Sequence, residues 1–132
     1  MTMRRNERYL LDTQACVAWA GGKLPRKVER MIRRGAEIYC TEISAWELMI
    51  KRVYLQRGLT YEDFWEFVEE IGAHSLPLTK ADLDQYRAMP FFEEHPDPFD
   101  RMIVAQALRT GYTLVGGDEK FSLYKGLKVL WE

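Results

Sequence analysis

Pro96-Asp-Pro-Phe-Asp100-Arg-Met-Ile-Val-Ala-Gln-Ala-Leu-Arg-Thr110-Gly-Tyr-Thr-Leu-Val115-Gly-Gly-Asp118 is the stretch on which the fold turns. Asp97 has the short side-chain acceptor that suits a helix cap, and Pro98 suits the first helical position. From there Asp100, Ile103, Val104, Ala107 and Leu108 fall on one face of a helix over residues 98–110. Thr113-Leu-Val115 then reads as a short buried strand, and a glycine pair carries the chain to Asp118. A helix running straight into an apolar strand that ends on an acid suggests an α/β unit with its chemistry at the strand end.

The same alternation extends outward. Tyr9–Leu11, Glu37–Cys40, a weaker His74–Leu78 and Lys128–Trp131 read as the other strands. Helical spacing fills residues 14–20, 25–34, 43–54, 60–71 and 79–87. Strands alternating with helices predict an α/β sandwich around a mainly parallel sheet. Ligands of such sheets sit beyond the carboxyl ends of the strands.

Bulk properties narrow the function. A chain of 132 residues with 47% hydrophobic and 13% aromatic residues predicts one domain over 1–132, with a core that needs no disulfide or structural metal. The formal net charge of -1 excludes a broad basic footprint for nucleic acid, so RNA binding requires a local patch or bound cations. Cys16 and Cys40 lie among apolar neighbours and read as buried free thiols of a reducing compartment. No signal-peptide core follows the N-terminal residues, and no apolar run reaches the roughly 20 residues of a membrane helix. A soluble, cytoplasmic protein with no membrane association is expected.

Four carboxylates stand out against this background. Asp12 ends the first strand and Asp118 follows the fourth; each is either a helix cap or a ligand at the sheet edge. Glu47 falls within or beside a stripe of Ile43, Trp46, Ile50, Val53 and Tyr54 that is expected to face inward. A carboxylate there needs a buried ion pair or a bound cation. Asp100 is either the N3 partner of a capping box with Asp97 or a site acid on the inward stripe. Asp97 itself reads as a structural cap. Four converging acids repel one another, and hard divalent cations relieve that repulsion. A carboxylate-held Mg²⁺ or Mn²⁺ suits phosphodiester chemistry.

The motifs Leu-Leu-Asp12-Thr13, Ile-Ser44-Ala-Trp-Glu47-Leu-Met-Ile-Lys51, His95-Pro-Asp97-Pro-Phe-Asp100-Arg101 with its following helix, and Leu-Val-Gly-Gly-Asp118-Glu-Lys-Phe121 occur in that order. Together they resemble a PIN domain, and specifically the VapC-type toxins of bacterial toxin–antitoxin pairs. The resemblance runs from Tyr9 to the terminal Lys-Val-Leu-Trp. It implies a three-layer α/β/α sandwich with about five mainly parallel strands. It further implies an endoribonuclease in which Asp12, Glu47, Asp100 and Asp118 hold Mg²⁺ or Mn²⁺ and an activated water attacks RNA. Thr13 and Ser44 match small polar positions near that site. Such toxins pair with an antitoxin protein and form homodimers. The family commonly carries Thr or Ser two residues before the last acid, where this chain has Gly116, so one hydroxyl near the metal is lost.

Several side chains keep two readings. Arg101 contacts either phosphate or a neighbouring acid. Lys51, one turn from Glu47, reads as solvated or ion-paired, and His95 as a turn or pairing residue. Lys120 and Lys125 read as ordinary surface. Tyr61, Phe64, Trp65, Val68 and Ile71 form an aromatic helical stripe assigned to the core, with a partner groove as the alternative. The rival to a nuclease is a catalytically weak PIN-like module that binds RNA or protein. An aspartyl phosphatase or phospho-receiver is disfavoured, because Asp12-Thr-Gln-Ala-Cys16 lacks the paired acids that chemistry uses.

Overall fold

The computed structural model describes residues 7–35, 37–51 and 58–131. Five strands form one sheet: β1 (Arg8–Leu11), β2 (Glu37–Thr41), β3 (His74–Leu76), β4 (Thr113–Val115) and β5 (Val129–Leu130). Their order is β3-β2-β1-β4-β5, and every neighbouring pair is parallel. The helices among the described residues are α1 (Thr13–Ala20), α2 (Arg26–Arg33), α3 (Glu42–Ile50), α4 (Tyr61–Glu70), α5 (Lys80–Ala88) and α6 (Pro98–Thr110), followed by a 3-10 helix at Glu119–Leu123. The expected β3 stops at Leu76, because Pro77 has no N–H to extend the ladder. The expected extension of α3 to residue 54, with Val53 and Tyr54, lies outside the described residues.

Strand alternation builds the three layers. Tyr9 and Leu11 of β1 join Cys40, Val115 and Leu130 on one face, packed on Cys16, Val28, Ile32, Phe64 and Val68. Leu10 points the other way and joins Leu114 and Leu76 against Ile103, Val104 and Ala107 of α6. Cys16 and Cys40 are buried, free thiols. On the α6 side, Asp82 caps α5 in a reciprocal box with Thr79 and also pairs with Arg109 and Gln106, which pins α5 to α6. Among the described residues no helix is long and apolar enough to cross a membrane.

Two sequence expectations about helix faces are corrected. The inward face of α3 carries Ile43, Ser44, Glu47 and Leu48, whereas Trp46 is 50% exposed and Ile50 57%. The cause is that α3 follows β2 without a loop and is wedged between α1, α4 and α6, which turns the short side chains inward. On α4, Phe64, Val68 and Ile71 are core as expected, Phe67 joins them, and Trp65 remains at the surface.

At the carboxyl edge of the sheet the chain is tightly crowded. The Asp12 N–H donates to Val115 O at 3.0 Å, and the Gly116 N–H donates to Leu130 O at 3.2 Å, so β1, β4 and β5 all end at one level. A Cβ at Gly116 would lie 2.3 Å from Asp12 Oδ2 and 2.8 Å from Phe121. A Cβ at Gly117 would lie 2.6 Å from the Trp131 ring. Position 116 is therefore filled by the Asp12 carboxylate itself. Gly116→Ala is expected to lower unfolding stability in urea titrations by about 1–3 kcal/mol, with the Asp12 and Phe121 side-chain resonances shifting most.

Candidate metal centre

Three of the acids at this edge are held by backbone N–H groups at helix starts. Asp12 caps α1, its Oδ1 accepting from the Ala15 N–H at 2.7 Å. Asp97 caps α6, accepting from the Phe99 and Asp100 N–H groups at 2.8 and 3.1 Å. Asp118 caps the 3-10 helix through the Lys120 N–H at 2.9 Å. Asp100 stands in the first turn of α6. Glu47 is 1% exposed and reaches the same edge from α3. The positive ends of α1 and α6 thus face the acids they hold.

The side chains form two overlapping groups. Ligand atoms of His95, Asp100 and Asp118 lie within 4.8 Å of one another, and so do those of Glu47, Asp97 and Asp100. Asp100 belongs to both. Asp12 belongs to neither; it is 6% exposed and set back under Gly116, yet close enough to feel the charges of Asp100, Glu47 and Asp118. The second group already contains a cation. Lys51 Nζ donates to Glu47 Oε2 at 2.9 Å and to Asp97 Oδ2.

Charge divides the acids accordingly. Burial, followed by repulsion from Asp100, Glu47 and Asp118, pushes Asp12 up to about 7. Burial, then Asp97 and Glu47, push Asp100 up to about 7 as well. Asp97 goes the other way. Burial raises it, but the Lys51 ammonium and the α6 N–H groups outweigh burial and hold it below its ordinary value. His95 is lowered, because its burial outweighs attraction by Asp118.

Other residues expected near the site are placed as follows. Thr13 Oγ1 and Ser44 Oγ are buried and hydrogen-bonded to each other at 2.9 Å, tying the start of α1 to α3. Arg101 is buried, donates to Pro90 O at 3.3 Å, and lies over the Tyr86 ring at 4.7 Å. Among the described residues no carboxylate is within ion-pair distance of it. Lys51 is ion-paired. Asp97 is a cap, as expected, and also a member of the acid group. A reciprocal bond from Asp100 to the Asp97 N–H is not among the described hydrogen bonds, so the capping box is half formed.

His95 is the residue that sequence reasoning undervalued. It is 3% exposed, with Nδ1 2.7 Å from Tyr124 Oη and Nε2 3.3 Å from Asp118 Oδ2 and 3.9 Å from Asp100 Oδ2. Its partner Tyr124 is 29 residues away, so no local pattern announces it. The one available signal was its position two residues before the cap of the acid-bearing helix.

The arrangement offers a compact, mostly oxygen donor set at neutral pH, with protons or cations competing for Asp12 and Asp100. Exposed Arg26, Arg30, Arg33 and Arg34 form a basic patch on α2, whose end packs beside the start of β1, at the opposite edge of the sheet.

No curated protein sequence matches the chain. In fold it is similar to a chain of VapBC2 from Rickettsia felis, solved bound to a DNA fragment from their promoter, with a TM-score of 0.64 and 18% identity, covering 95% of this chain and 99% of that one. DNA-bound VapBC from Salmonella typhimurium gives 0.64 and 18%, covering 94% and 97%. VapBC-1 from nontypeable Haemophilus influenzae gives 0.64 and 16%, covering 93% and 96%. The family model for the PIN domain matches residues 9–127, which takes in all five acids, His95 and Tyr124. The chain belongs to the PIN domain family.

Proposed function

We propose that this chain is a divalent-cation-dependent endoribonuclease, the toxin of a toxin–antitoxin pair, acting as one PIN-like unit over residues 1–132 in the cytoplasm. The observation that carries this reading is the meeting of Asp100, Asp118, Glu47 and Asp97 at one sheet edge, with Asp12 buried behind them. Asp12, Glu47, Asp100 and Asp118 are assigned as the catalytic, metal-holding acids. The donor chemistry fits Mg²⁺ or Mn²⁺: carboxylate oxygens dominate, and Asp12 and Asp100 carry charge that nothing in the chain neutralises fully. A bound cation supplies Lewis acidity toward a phosphate oxygen and makes water a better nucleophile.

The chain's own residues do the rest. Asp100 and Asp118 would hold the cation from two separate elements, whose separation the packing of α6 on the sheet sets. Lys51 holds the Asp97 carboxyl low and ties it to Glu47 through its ammonium. The Thr13–Ser44 hydroxyl pair sits between α1 and α3, where it orients site water or phosphate. Arg101 fixes the approach of the loop at Pro90 rather than meeting substrate. Gly116 leaves Asp12 in the space a hydroxyl side chain takes in relatives.

A protein partner fits a different surface. An apolar groove of about 280 Å³ runs between α3, α5 and α6, lined by Trp46, Leu83, Tyr86, Phe99 and Met102. Exposed Trp46, Leu78 and Leu83 give it an apolar rim, as at interfaces that bury aromatics. Similarity to chains of VapBC structures supports an antitoxin as the occupant, and the family resemblance implies a homodimer as the toxin's own assembly.

Purified protein, free of any partner, is expected to cleave RNA with Mg²⁺ or Mn²⁺ and to stop in EDTA. Asp12→Asn and Asp100→Asn are each expected to lower the rate by about 100-fold or more. Equal cleavage by wild type and both variants would sink the assignment. The raised carboxyls also set a pH dependence. Protons held on Asp12 and Asp100 below about 7 must leave before a cation binds, so affinity rises with pH through that range. Calorimetry is expected to find Mg²⁺ bound about tenfold or more tightly at pH 8 than at pH 6, with proton release on binding.

A further inference from the structure

We propose that His95 is a metal ligand, so that the cation site is a mixed nitrogen–oxygen site of His95, Asp100 and Asp118 that favours Mn²⁺ over Mg²⁺. The inference rests on the cation-binding reading above, but not on RNA cleavage.

The imidazole is built like a ligand. It is 3% exposed, yet its Nε2 is a buried atom without a hydrogen-bond partner. That atom points at two carboxylates, 3.3 Å from Asp118 Oδ2 and 3.9 Å from Asp100 Oδ2. Donors about 2.1 Å from one ion stand roughly 3 Å apart when adjacent and roughly 4.2 Å when opposite, and both separations fall in that range. The contact to Asp118, at 3.3 Å, is longer than a well-formed N–H···O bond, so Asp118 attracts the ring without satisfying Nε2.

The ring is also fixed from behind. Nδ1 meets the Tyr124 hydroxyl at 2.7 Å in a buried contact. Tyr124 and Phe121 pack edge-on to the imidazole, with centroids at 5.4 and 5.8 Å. With Nδ1–H donating to Tyr124 Oη, Nε2 presents its lone pair to the acids. This is the outer partner that metal-binding histidines use to set tautomer and orientation. Pro96 and the Asp97 cap hold the backbone two residues on.

A nitrogen donor changes which ion the site prefers. Mg²⁺ selects oxygen ligands and sheds water reluctantly, whereas Mn²⁺ accepts imidazole beside carboxylates. The other acid group lacks a nitrogen donor, and Lys51 already bridges two of its carboxylates. The site at His95 is therefore the one that discriminates between ions.

The test is pulsed electron paramagnetic resonance on the full chain loaded with Mn²⁺, beside calorimetric titration with Mn²⁺ and Mg²⁺. Wild type is expected to show a directly coordinated ¹⁴N, with His74→Gln retaining it and His95→Gln losing it. The Mn²⁺-to-Mg²⁺ affinity ratio is expected to fall about fivefold or more in His95→Gln. The nitrogen signal in wild type needs no variant, so a folding defect in His95→Gln leaves the test intact. Bound Mn²⁺ without ¹⁴N coupling overturns the His95 proposal while the carboxylate site stands. Failure of Mn²⁺ to bind wild type at millimolar concentration overturns both readings.

Discussion

Negative charge crowded at the end of a parallel sheet is the constraint that organises this molecule. The sheet order brings the ends of β1 and β4 side by side, and α3 and α6 add their own acids over that edge. Repulsion in so small a volume would be severe if every carboxylate were ionised and bare. The fold answers it with backbone N–H groups at Asp12, Asp97 and Asp118, with Lys51 between Glu47 and Asp97, and with partial protonation at Asp12 and Asp100. What remains uncompensated lies among carboxylates close enough together to hold a metal ion.

The two halves of the site are not equivalent. Lys51 offsets part of the charge on the Glu47–Asp97 side, while the Asp100–Asp118 side has the buried His95 ring beside it and no ammonium in contact among the described residues. Asp100 is shared, so neither half moves alone. The tether through Arg109 and Asp82 extends this rigidity to α5, because α6 cannot tilt without disturbing a buried, charged network.

Most of the fold was legible because its cues are local. Pro98 after Asp97 places the start of α6, and Thr113-Leu-Val115 is a strand with the expected bounds. Glu47 was found through helical periodicity, although part of the stripe used to find it faces out: Ile43 lies inside as expected, with Ser44 and Leu48, while Trp46 and Ile50 lie outside. Periodicity reports that a helix has two faces, but which face turns inward depends on the helices that arrive later in the chain. Asp97 was legible as a cap and not as a site acid, because its second role comes from Lys51 on another helix. His95 needed Tyr124 and Asp118, both distant in sequence, so its character emerges only from the packing. Gly116 read as a missing hydroxyl, whereas the fold shows that position filled by Asp12.

The placement of β5 has a consequence for how the molecule comes into being. Gly116 bonds to Leu130, and Gly117 lies flat against Trp131, so the turn carrying Asp118 is braced by residues made more than ten positions later. A nascent chain that extends only to Asp118 has all five acids but no support for the turn that carries the last of them. The centre therefore stays unfinished until Leu130 and Trp131 have joined the fold. Synthesis and assembly of the site are separated in time by the order of strands along the chain.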